Sequence, residues 1–303
     1  MDRRPRPPPA RRARRPPREA GPAAVEADVK ASRLLPGLAL AFLVAWSLGP
    51  ALWQALTALK PDAQITSVPT VYVPNPPTLR SFEALFARKP FAAYLRNSAL
   101  VSAAATLLAV ATGALVASRL VRASERARER ALVALLGLAF VPPVLLLFPL
   151  FEAVRALGWL NNPLALIVPY AVLNLPLSTW ILESGFRQVP REVLEAAALD
   201  GLGPVARVAR IQLPLAAPSV ATAAILVFIF CWNEFLLALT FMTRDERKTV
   251  TAGVASVTGS SMFEVPWGQL SAAVVLSTLP LVLLVLLFER RIASGLTRGA
   301  VKG

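Results

Sequence analysis

Six long apolar stretches alternate with polar segments along the chain, at roughly Leu34–Leu59, Ala92–Ala117, Ala131–Ala153, Pro163–Leu182, Pro218–Phe241 and Gly268–Phe288. At a rise of 1.5 Å per residue, roughly 20 residues cross a hydrocarbon core of about 30 Å. The pattern therefore predicts an all-α, polytopic membrane protein with six transmembrane helices, since a helix satisfies its own backbone groups in lipid. Proline inside several spans (Pro142, Pro143, Pro169, Pro176 and Pro280) predicts kinks. The first run is too long for a signal-peptide core and no clear small-residue cleavage site follows it, so it predicts a retained helix.

The polar segments divide the chain further. Residues 1–33 form a basic Pro/Arg-rich arm that cannot bury enough apolar surface to offset its ordering entropy, and they predict a disordered cytoplasmic tail. Two uses suit the arm: clamping anionic membrane lipid, or simply reinforcing topology. Residues 34–289 predict one transmembrane domain, and 290–303 a cytoplasmic C-terminal tail. The segment 60–91 carries Pro61, Pro69, Pro74, Pro76, Pro77 and Pro90, which predicts irregular, extended chain. The segment 242–267 is polar and ends in Trp267, a suitable interface anchor.

Six spans place both termini on one side. Of the 32 Lys and Arg residues, 23 fall on that side, and the excess survives removal of the N-terminal arm. By the positive-inside rule both termini are expected in the cytoplasm.

Composition agrees and excludes other classes. Hydrophobic residues make up 55% of the chain and charged residues 17%, against about a quarter charged in soluble domains. The net charge of +14 invites a nucleic-acid reading, but the basic residues cluster in the arm and beside membrane segments, without a nucleic-acid-binding signature. Cys231 is the sole cysteine and histidine is absent, which leaves no internal disulfide, no cysteine or histidine metal cluster and no histidine-based catalysis. No Gly-rich phosphate loop ending in Gly-Lys-Ser/Thr occurs, so the chain is not its own P-loop ATPase. Neither a catalytic residue nor a cofactor is expected on it.

The most informative segment is the loop between spans four and five, about residues 187–214. Pro190 suits a helix start, and Glu192 and Glu195 suit the positive end of its dipole. Ala196, Ala197 and Ala198 make the helix slim enough for close approach by a partner. Gly201 suits a left-handed stop, and Gly203-Pro204 permits a second short helix ending near Pro214. Such a helix–turn–helix is too polar to span and too organised for a linker.

Glu195-Ala196-Ala197, three residues, Gly201, nine residues, then Ile211-x-Leu213-Pro214 resembles the signature loop of permease subunits in ATP-binding-cassette importers at every position. Residues 222–241, and the ending Gly295-Leu296-Thr297-Arg298-Gly299-Ala300-Val301-Lys302-Gly303, look like the second permease subunit of the maltose- and trehalose-type carbohydrate group. The resemblance covers about residues 34–303. It implies a coupling helix seated in a cleft of an ATPase subunit, with Glu195 meeting a basic residue there. Ala196, Ala197, Asp200, Gly201, Ile211, Leu213 and Pro214 complete the coupling element, and Gly299–Gly303 reach the same ATPase pair. It further implies a second permease subunit, two ATPase subunits holding ATP and Mg, and an extracytoplasmic sugar-binding protein. The cargo would be a disaccharide such as trehalose or maltose, with oligosaccharide and glycerol phosphate as alternatives.

Asn233 and Glu234 sit inside a predicted span, where polar groups are costly. Two roles compete for them: hydrogen bonds to sugar hydroxyls, with Trp232 as a stacking face, or bonds that hold helices together. Asn174, beside Pro176, poses the same choice. Ser98, Ser102, Thr106 and Gly113 predict close helix packing. A self-sufficient secondary transporter would need intramembrane coupling carboxylates, and the predicted spans contain only Glu152 and Glu234, each near an end.

Overall fold

The computed structural model describes residues 22–257 and 265–300. The chain divides into two units, Met1–Leu52 and Trp53–Gly303. No strand occurs among the described residues.

Helix α1 (Pro22–Ala58) begins well before the expected start at Leu34. Pro22 suits a first helical position, and Ala23, Ala24, Glu26, Ala27, Lys30 and Ala31 are good helix formers. Disorder is thus not what residues 22–33 show, and residues 1–21 lie outside the described residues. The expectation for 60–91 needs a similar correction. Helices α2 (Asp62–Ile65) and α3 (Arg80–Arg88) interrupt it, α3 forming where no proline intervenes and burying Ser81 and Leu85.

Helix α4 (Phe91–Arg122) is the long central element. After it come α5 (Glu125–Ala139), α6 (Pro143–Ala156), α7 (Leu164–Leu173) and α8 (Leu175–Phe186). The loop contributes α9 (Arg191–Leu199), α10 (Pro204–Arg207), a π-helical turn (Val208–Gln212) and α11 (Leu213–Leu215). Then follow α12 (Ala217–Asn233), α13 (Leu236–Phe241), α14 (Val250–Ala255) and α15 (Trp267–Ala300). Residues 258–264, in the loop that Trp267 closes, and 301–303, in the family-like ending, lie outside the described residues.

Three helical segments, Pro36–Ala58, Phe91–Arg122 and Trp267–Phe288, are singly long and apolar enough to cross a membrane. Three bent pairs bring the number to as many as six among the described residues. The pairs are α5–α6, bent by 83°, α7–α8, bent by 49°, and Pro204–Leu215 with α12, bent by 93°. Spans three and four are therefore broken rather than kinked. Proline explains both, because Pro142, Pro143 and Pro176 cannot donate to the carbonyls four residues back. The expected span 218–241 is also interrupted, at Glu234–Phe235, where no proline stands.

Helix α4 packs on α7, α8 and α12, and α15 packs on α12 and α3. Close approach of α4 to α8 depends on Gly113, since a Cβ there would overlap the Ser178 hydroxyl. Ser178 donates to the α4 carbonyl of Ala109 at 2.9 Å. Ser98, on the same helix, accepts from the Val250 amide at 2.7 Å. Small residues on α4 thus act as packing and crosslinking positions, as their types predict.

Candidate functional site

Two features concentrate polar chemistry: the loop built on α9, and a cavity bordered by the broken spans.

Helix α9 follows Pro190 and ends as its sequence requires. Gly201 takes φ of +82°, its amide reaches the Ala198 carbonyl at 3.1 Å, and the Leu202 amide reaches that of Ala197 at 3.0 Å. This pair of bonds is a Schellman stop, which satisfies two end carbonyls only with a left-handed residue at its centre. Leu194 and Ala197 are buried, whereas Glu195, Ala196, Ala198 and Asp200 are exposed. Leu199 is 90% exposed. The helix therefore anchors by one face and presents the other.

The remaining signature positions serve the anchor. Leu213 packs on a core formed by Ala114, Ala117, Leu182, Phe186 and Val208, while Ile211 is half-buried and Pro214 sits in the first turn of α11. Gln212 between them is 1% exposed, and neither of its side-chain amide atoms has a hydrogen-bond partner.

Glu195 borders a cavity of about 550 Å³ between the loop and the start of α5. Five arginines line it, Arg122, Arg128, Arg187, Arg191 and Arg207, against the carboxylates Glu125 and Glu195. Arg128 pairs with Glu125 and lies 3.6 Å from Glu183, whose side chain is 7% exposed. Glu183 belongs to α8, so the fourth span extends past its expected end at Leu182 and carries a buried carboxylate that the sequence reading left outside it. The sequence presented these arginines only as topology signals; their convergence around Glu195 depends on the fold.

The second feature centres on the interruption of the fifth span. Glu234 follows the last residue of α12, and its carboxylate accepts from the amides of Leu237 at 2.8 Å and Ala238 at 3.1 Å. It thereby caps the start of α13. The Tyr170 hydroxyl, from α7, donates to the same carboxylate at 2.5 Å. The Thr251 hydroxyl donates to the Glu234 main-chain carbonyl at 2.7 Å. The sequence did not single out Tyr170, although a tyrosine inside an apolar span, one of three tyrosines in the chain, was a usable signal.

The four polar candidates separate. Asn174 lies close to this cluster: its Nδ2 donates to the Tyr170 carbonyl at 2.9 Å and sits 3.7 Å from Cys231 Sγ. Asn174, Tyr170, Cys231 and Glu234 border a cavity of about 350 Å³. Asn233 is exposed and its amide returns to the Ile229 carbonyl at 2.9 Å. Trp232 is 4% exposed, stacks on Phe228 and donates to the Ser277 carbonyl on α15 at 3.1 Å, which makes it a packing residue away from the cavity.

Comparison with known proteins places this geometry. Residues 109–298 match the model of the binding-protein-dependent transport system inner membrane component. A sulfoquinovosyl glycerol transport system permease of Agrobacterium fabrum is 38% identical over 88% of this chain and 93% of its own length. A trehalose transport system permease of Mycobacterium tuberculosis is 36% identical over 86% and 94%. A trehalose/maltose transport system permease of Thermococcus litoralis is 38% identical over 84% and 91%. In fold, the chain is similar to a bacterial ABC transporter involved in the import of the acidic polysaccharide alginate, with a TM-score of 0.70 at 17% identity, over 86% of this chain and 96% of that one. With its signature loop, its broken spans and these matches, the chain belongs to the family of binding-protein-dependent transport system inner membrane components.

Proposed function

We propose that this chain is the permease subunit of an ATP-binding-cassette importer for a sugar or small glycoside, driven by a separate ATPase through the α9 loop. The observation that carries the proposal is α9 itself: a capped helix held by Leu194 and Ala197, offering Glu195, Ala196 and the 90% exposed Leu199 on its free face. An exposed leucine beside a carboxylate and small residues is a surface suited to a partner's cleft. Two ATPase subunits, a second permease and an extracytoplasmic sugar-binding protein would complete the complex, with ATP and Mg on the ATPases. The basic lining next to Glu195 would favour acidic groups on the ATPase rim. In this reading both termini and the loop lie in the cytoplasm, as the lysine and arginine distribution favours.

ATP-driven closure of the ATPase pair would move α9, and the 93° junction to α12 would carry that motion into the fifth span. The sugar assignment rests on the trehalose and maltose systems to which the relatives belong. The test is affinity capture of the tagged chain from native membranes in mild detergent, with Glu195→Lys alongside. Recovery of an ATPase and a second permease, weakened by the substitution, is expected. Capture of the chain alone, unchanged by the substitution, would remove the basis for the coupling role.

A further inference from the structure

Three of the four discontinuities in the helical spans border one cavity. Val141 and Pro143 border it from the α5–α6 break, Tyr170 and Asn174 from the α7–α8 bend, and Cys231 and Glu234 from the α12–α13 break. Non-helical backbone at membrane depth is tolerated where protein buries it or where it lines a polar cavity, and transporters use such interruptions to handle cargo.

The chemistry of this lining is biased toward acceptors. Pro142 and Pro143 have no amide hydrogen, so the Leu138 and Ala139 carbonyls lose their ladder donors; Leu138 recovers one from Val141 at 3.2 Å. Helix α12 stops at Asn233, so its last four carbonyls lack intrahelical amides. Asn174 uses its Nδ2 within its own turn and toward Cys231, and its Oδ1 accepts no hydrogen bond among the described residues. Tyr170 donates its only hydroxyl hydrogen to Glu234 and keeps lone pairs free. No lysine or arginine lines the cavity, and its remaining walls are apolar, with Leu173, Leu177 and Phe230 among them.

We propose that this cavity is a transit site within this subunit for a neutral, hydroxyl-rich glycoside, formed where Asn174, Tyr170 and residues of three interrupted spans meet. Ring hydroxyls supply the donors that the lining needs, and the C–H face of a pyranose suits the apolar walls. A sulfonate, carboxylate or phosphate would meet acceptors and the Glu234 carboxylate with no countercharge. The volume, about 350 Å³, falls at the lower end of small-molecule sites, roughly 300–1,000 Å³. The inference rests on the importer reading and adds to it that this subunit itself touches the cargo.

The experiment uses the intact transporter, purified through a tag on this chain and reconstituted in proteoliposomes with its binding protein. Uptake of radiolabelled trehalose, maltose and the anionic maltobionate is measured beside ATP hydrolysis. Ala139→Trp, at an exposed lining position, narrows the cavity, and Asn174→Ala removes the free acceptor. Sugar moved per ATP should fall about tenfold in the first and about fivefold in the second, with hydrolysis stimulated by the loaded binding protein kept within about twofold. Asn174→Gln should recover part of the loss. Unchanged uptake in both variants, or equal loss of uptake and hydrolysis, overturns the transit site while leaving the importer reading intact. Maltobionate uptake by the unmodified transporter overturns the charge assignment. Absence of ATP-dependent uptake of all three overturns the transit site for these sugars, and absence of ATP hydrolysis stimulated by the binding protein as well overturns the importer reading itself.

Discussion

Helix α12 is set off from its neighbours at both ends, by a bend at one and a break at the other. At Ala217 the main chain does the work: Gly203-Pro204, a π-helical turn over Val208–Gln212 and Pro214 lead into a 93° change of direction. At Asn233 no proline or glycine stands nearby, and the break is fixed by one carboxylate. Glu234 caps two amides of α13 and takes a third bond from Tyr170 on α7. A bend written into backbone chemistry forms from local residues alone. A bend written into a side chain exists only if its distant partners arrive, and one substitution can remove it.

The two ends therefore respond to different perturbations. Glu195→Lys should have the largest effect, because on the proposed coupling role a reversed charge there opposes the ATPase directly. ATP-dependent uptake is expected to fall about tenfold or more, with the amount of folded chain in the membrane unchanged. Near-normal uptake would separate the loop from the ATPase. At the other end, Glu234→Ala should destabilise the detergent-solubilised protein by about 1–3 kcal/mol, since it orphans two amides and a hydroxyl at once. Glu234→Gln should restore part of this in a thermal unfolding experiment; identical midpoints for all three proteins would mean the break is held by something else.

Gly201→Val should cost roughly 1–2 kcal/mol, the expense of placing a β-branched residue at positive φ. Because that cost falls on the exposed loop, uptake should decline while insertion of the chain and unfolding of its membrane core stay as they were. Tyr170→Phe is milder, about 1 kcal/mol, as it removes one of three bonds to Glu234 and leaves the cap in place. A double variant with Glu234→Ala should then add little to the carboxylate loss alone, which a thermodynamic cycle reads directly.

The smallest effect concerns pH. Asp245 accepts from Lys248 at 2.6 Å and lies 3.5 Å from Lys89, and the bond to Lys248 holds its carboxyl below the ordinary carboxylate value. A depressed folded-state pKa means that this contribution is present above the unfolded value of about 3.9 and is lost as pH falls through the depressed one. Unfolding midpoints should drop slightly over that acid window, and Asp245→Asn should flatten the drop. A larger drop in the variant would reverse the assignment.

How much of this was legible beforehand follows the same division. Six apolar stretches announced the spans, since burial in lipid requires length and hydrophobicity whatever the neighbours. The stop at Gly201 and the breaks at Pro142–Pro143 and Pro176 follow from local backbone constraints, though proline alone did not tell a kink from a break of 83°. Glu234 and Asn174 stood out as costly polar residues, but their pairing did not, because Tyr170 reaches Glu234 from 64 positions away. Trp232 shows the converse: its sequence neighbours suggested a sugar-stacking face, and α15 packs over that end of α12 instead.

The sequence by itself determined the number of apolar stretches, the side that carries positive charge and the helix–turn–helix loop with its glycine stop. Each of these depends on hydrophobic length, local charge or a backbone torsion. Only the tertiary structure decided that α12 ends at Asn233, that five arginines gather beside Glu195, and that three breaks share one cavity. Those features arise from contacts between residues far apart in sequence, and the pattern of any one segment carries no record of which distant side chain will meet it.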